Sequence, residues 1–154
     1  MAQLSVPTVS AVASTAGGAV IALGSCLPWM YYFAGLVPLR GLIGLNGRLF
    51  FAAGAISIAL GLLRSRAVVA TRGRWRVFTA LLGATVSTGA VWLLIGVWEL
   101  THQHGSDAML APKAGSGLWV VLFGGVLVAF AAAVPDECDL RHGHDSFAGA
   151  AHAG

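Results

Sequence analysis

The sequence predicts an all-α membrane protein of four transmembrane helices, and three observations carry the expectation. Of its 154 residues 57% are apolar and 10% charged, with a mean hydropathy of +0.81, far from the make-up of a soluble domain. Four stretches contain no Asp, Glu, Lys, Arg or His: Met1 to Leu39, Leu49 to Leu63, Val77 to Trp98 and Ala114 to Pro135. A hydrocarbon core of about 30 Å takes about 20 helical residues to cross. These runs also lack the apolar-polar alternation of barrel strands, so their backbone groups must pair within helices.

The first helix is expected over residues 13–33. Upstream, "AVASTA" offers the small residues a signal peptidase accepts, but Met1 to Ser10 holds no Lys or Arg and Pro7 interrupts the stretch, so the N-terminus reads as retained. Pro28 removes an N–H and crowds the preceding turn, so the helix should kink or end there. Trp29, Tyr31 and Tyr32 would then anchor its far end at the membrane interface. The alternative is that the carbonyl freed near Gly24 lines a cavity.

The second helix is expected over 45–63, with Arg48 near its start, and the third over 77–98, with Glu99 at its end. Arg48 and Glu99 either pair or snorkel separately to the headgroup layer. Polar residues within the helices, Ser25, Ser57, Thr79, Thr85, Ser87 and Thr88, are expected to bond backbone carbonyls or bridge helices, and "TVST" would add polar contact between hairpins. Trp92 lies deep in the third helix and is assigned to packing. The fourth helix is expected over 117–134. Residues 1–135 thus form the transmembrane domain, and 136–154 a flexible cytoplasmic tail.

Orientation follows from the arginines. The connection "RSRAVVATRGRWR" carries Arg64, Arg66, Arg72, Arg74 and Arg76, against Arg40, Arg48 and Lys113 on the other side. The positive-inside rule makes that connection cytoplasmic, with both termini on the same side of the plasma membrane. Trp98 and Trp119 join Trp29 as anchors at the outer boundary, and Trp75 anchors the inner one. This topology accounts for the net charge of +3 without a nucleic-acid partner. It also puts Cys26 and Cys138 on opposite sides, so they form no disulfide with each other.

One pattern recurs. "GRLFFAAGAISIALG" from Gly47 is echoed seventy residues later by "GLWVVLFGGVLVAFA" from Gly117, laying Gly47, Gly54 and Gly61 over Gly117, Gly124 and Ala131. A spacing of seven keeps each set on one helix face, where small residues let backbones approach. Two hairpins related by an axis along the membrane normal would produce this repeat. The alternative is four helices of ordinary small-residue content without duplication.

"ALGSCLPWM", "GLIGLNGRL" and "VWLLIGVWELTH…GSGLWVVLFGGVLVAF" resemble small four-helix membrane proteins common in actinobacteria. The likeness covers most of Ala16 to Ala133. It implies a topology but no catalytic residue, cofactor or activity.

The charged residues needed for an intramembrane ion or proton relay are absent from the hydrocarbon region, Arg48 and Glu99 lying at helix ends near the headgroups, and no nucleophile elbow, P-loop, dinucleotide fingerprint or catalytic zinc motif occurs. Glu99, His102, His104 and Asp107 form a loop cluster with acid and base types but nothing that identifies a substrate. Candidate metal ligands are His102 and His104 in that loop, and Cys138, His142 and His144 within "DECDLRHGHD" in the tail, among Asp136, Glu137, Asp139 and Asp145. No known ligand spacing frames them, and no cofactor is expected. The expectation is a non-catalytic structural or accessory subunit whose small-residue faces meet a second copy or a larger membrane assembly; the alternatives are a small carrier or pore for a neutral solute, passing Ser57 and Thr85, and a metal-binding tail.

Overall fold

A computed structural model describes residues 9–33, 36–66, 72–103 and 113–133. Their elements run α1 (Val9–Cys26), β1 (Pro28–Tyr32), β2 (Val37–Arg40), a 3-10 turn (Gly41–Ile43), α2 (Leu45–Arg66), α3 (Arg72–Gln103), β3 (Lys113–Ala114) and α4 (Ser116–Ala133). All four helices are long and apolar enough to cross a membrane. Residue 134, expected at the end of the fourth, lies outside the described residues.

α1 stops at Cys26, seven residues short of the bound at 33 but at the end expected from Pro28. Pro28 explains the stop: its ring excludes the helical turn before it and it has no N–H to offer. The chain continues instead as β1, "PWMYY", whose aromatic residues suit a pleated surface. β1 is the middle strand of a three-stranded antiparallel sheet in the order β2-β1-β3, with Tyr32 opposite Val37 and Tyr31 opposite Lys113. This sheet, absent from the helix-only expectation, caps the end of the bundle where α1 stops and α2 and α4 begin.

The turn between β1 and β2 starts at Phe33, whose φ is 51°. That left-handed conformation costs a residue with a Cβ about 1–2 kcal/mol, and asparagine tolerates it better. Because the ring is 52% exposed, Phe33→Asn is expected to raise the unfolding free energy by about 0.5–1 kcal/mol in reversible unfolding from mixed micelles.

The helices pack in the order α2-α1-α4-α3, each antiparallel to its neighbour, while α2 and α3 touch much less. Phe50 of α2 reaches Gly89 of α3, so the two outer helices converge on the sheet side. The core lies between the helices around Ile21, Val86, Ala90, Val97, Leu118, Val121 and Val128. Val9, Arg66, Arg72 and Ala133 all fall at the end opposite the sheet, hereafter the arginine end. α3 extends beyond the 77–98 expected for it; its 32 residues amount to about 48 Å of helix. α1 and α4, with 18 residues each, measure about 27 Å.

An axis relating one hairpin to the other would make the α1–α4 and α2–α3 contacts equivalent, and they are not. The two glycine stripes dock instead on one helix from two sides. Carbonyl oxygens at Gly18 and Ala11 of α1 lie 2.8 and 3.0 Å from where a Cβ would stand on Gly54 and Gly61 of α2. On the other side, the oxygens of Gly24 and Gly17 lie 2.8 and 3.0 Å from a Cβ on Gly117 and Gly124 of α4. Gly17 and Gly18 of α1 have no side chain because the α4 backbone approaches the first and the α2 backbone the second.

Candidate functional site

Buried hydroxyl groups are satisfied within this packing. Ser25 donates to Ile21 O at 2.9 Å, Ser57 to Ala53 O at 2.9 Å and Thr79 to Trp75 O at 2.8 Å, each four residues back in its own helix. Ser14 of α1 reaches Ser57 O of α2 at 3.4 Å. Thr85 and Ser87 bond Leu81 O and Gly83 O. Ser57 is fully buried between α1 and α2, whereas Thr85 is exposed on the outside of α3, so the two named for a solute path border no common space.

The carbonyl of Gly24, which Pro28 would leave open, is occupied: the Trp29 indole N–H donates to it at 3.1 Å and Leu27 N at 3.3 Å. That arrangement closes the cavity alternative at this position. Trp29 is also 9% exposed, so it does not stand at an interface like the other tryptophans named as anchors: Trp75, Trp98 and Trp119 are 40%, 64% and 59% exposed. Its indole meets the Phe50 ring at 5.5 Å between centroids and lies against Gly41 and Gly117. Trp92, assigned to packing, is 76% exposed. The two assignments are reversed because the sheet folds back over Trp29, while α3 lies at the edge of the row.

Of the small-residue set, Gly54, Gly61, Gly117 and Gly124 face α1, and Ala131 is fully buried. Gly47 faces its own approach segment, where a Cβ would strike Gly41 O. On the far side of α4, Gly125 packs on Val86 and Ser87 of α3, and Gly83 of α3 packs on Ala129. Arg76 donates to Ala132 O at 3.2 Å across the same seam.

Arg48 donates to Leu42 O at 3.4 Å, and Glu99 is exposed. His102 stacks on Trp98 at 4.1 Å between centroids, with Nδ1 2.9 Å from Trp98 O. Among the described residues no three His, Cys, Asp or Glu side chains come together in a metal-holding group. His104, Asp107, Cys138, His142 and His144 lie outside the described residues, as do the other acidic residues of the tail. Cys26 is a free, exposed thiol.

A line of exposed residues runs the length of α3. Phe78, Thr85, Trp92 and Glu99 repeat every seven residues, and Leu81, Thr88 and Ile95 fill the intervening positions; all seven are exposed. Spacings of three and four alternate along the line, as on any single helix face, and Ala84, Val91 and Trp98 beside it are exposed too, so the outward face of α3 is broad and mostly apolar. The line holds no glycine, so the glycine pattern of the sequence gives no sign of it; the two paired stripes are spent inside the bundle. No protein-family model, curated protein or solved structure matches the chain.

Proposed function

We propose that the chain is a non-catalytic, multi-pass protein of the plasma membrane with both termini cytoplasmic, acting as a structural or accessory subunit. In this reading it needs no cofactor and binds no nucleic acid; its partners are the bilayer and either a second copy or a larger membrane assembly. The five arginines around the α2–α3 connection support that orientation. The single observation that carries the subunit reading is the outward seam of α3. Along it Phe78, Leu81, Trp92 and Ile95 offer a broad apolar face, and the exposed hydroxyl of Thr88 can join helices across such a contact. The contact surface is therefore α3 and not the glycine stripes, which are already used within the chain.

Cysteine cross-linking in native membranes tests it. In a Cys26→Ser, Cys138→Ser background, Thr85→Cys, Thr88→Cys and Trp92→Cys are expected to give one recurrent cross-linked product, of dimer size or larger. Phe123→Cys on α4, exposed but off the seam, is the control and should give none. Absence of any product at all three seam positions would remove the reading.

A further inference from the structure

We infer that the groove between the sheet ends of α3 and α4 is a binding site for an anionic glycerophospholipid. The groove is open along its outer side and offers about 470 Å³, within the ~300–1,000 Å³ of clefts that hold small ligands. Leu94, Ile95, Trp98 and Trp119 form its apolar part, and Thr101 and Lys113 stand at its margin. An acyl chain matches the apolar part. A phosphate matches Lys113, the one lysine or arginine that borders it among the described residues.

Lys113 is placed for that role by the fold. Its backbone is held in β3 opposite Tyr31, three residues before α4 begins, so it stands at the helix end while the groove runs down between the helices. A lysine so placed lays its methylenes along apolar surface and leaves its ammonium in the headgroup layer. It has no ion-pair partner among the described residues. Glu99, one turn beyond Ile95, belongs to the outward seam of α3 and makes no ion pair with it. The other cations of the sheet end are elsewhere: Arg40 is on β2, at the opposite edge of the sheet, and Arg48 bonds Leu42 O. Charge complementarity at this groove therefore rests on Lys113, and the flanking tryptophans suit the boundary between acyl chains and headgroups.

The inference rests on the membrane reading above. The test is native mass spectrometry of the full chain released from nanodiscs of equal phosphatidylglycerol and phosphatidylcholine. Retained phosphatidylglycerol is expected to exceed phosphatidylcholine roughly fivefold, the weight of one lysine near an anionic surface. Lys113→Gln should bring the ratio near one, Lys113→Arg should keep it, and Arg40→Gln should leave it unchanged. Equal retention in the unmodified chain, or a preference that survives Lys113→Gln, overturns the site. Recovery in nanodiscs of phosphatidylcholine alone separates the two claims: failure to insert there counts against the membrane reading, and insertion without headgroup preference counts against the groove alone.

Discussion

Replacing Gly124 with valine is expected to prise α1 from α4 and to cost about 3 kcal/mol, the upper end for overpacking a close contact. A Cβ at Gly124 would stand 2.8 Å from Ile21 Cγ1, 2.9 Å from Ile21 N and 3.0 Å from Gly17 O. Two of those three atoms are backbone, so no rotamer change relieves the clash; α1 itself must move. Because α1 also receives α2 through Gly18 and Gly54, its displacement propagates to the other side of the row. The matched control is Gly96→Val on α3, where nothing lies within 4 Å of the added carbon, and its effect should stay within about 0.5 kcal/mol. Reversible unfolding in mixed micelles measures both, and equal effects would show that backbone approach at Gly124 does not hold the helices together.

The helices were legible in the sequence where the demand for internally paired backbone leaves one answer, and illegible where that demand lapses. The run "CLPWMYYFAGLVPL" holds no charged residue, so composition alone carries α1 past Pro28 to the bound at 33. Its aromatic residues serve a strand as readily as a membrane helix, and the punctuation at Pro28, Gly35 and Pro38 was the available cue to a hairpin. α3 was underestimated for the opposite reason: a rule that ends spans at charges cuts at Arg76 and Glu99, although a helix continues where water replaces lipid. The seventy-residue shift located two equivalent stripes but was silent on what they touch, since helix docking partners depend on the third dimension. Trp29 shows the same limit, because tryptophan near a span end suits an interface anchor and a buried cap equally well.

Trp29→Ala is expected to have the larger effect, about 3–5 kcal/mol from lost packing alone. The indole occupies the junction of five elements: β1 carries it, it bonds Gly24 O of α1, Gly41 of the 3-10 turn and Gly117 of α4 lie against it, and the tilted ring of Phe50 of α2 packs on it. Its backbone oxygen also accepts Gly115 N at 2.7 Å, which fixes the entry to α4. Trp29→Phe separates the contributions. It keeps an aromatic ring beside Phe50 but removes the N–H given to Gly24 O, and a lost hydrogen bond of this kind costs about 0.5–1.5 kcal/mol. The phenylalanine variant should therefore recover most of the stability that alanine loses. If phenylalanine is instead as damaging as alanine, the hydrogen bond that caps α1 outweighs the packing, and Pro28 with Trp29 acts chiefly as a helix-terminating pair. If both variants match the unmodified chain, the sheet does not hold the helix ends together, and the junction contributes nothing to the order in which the four helices pack.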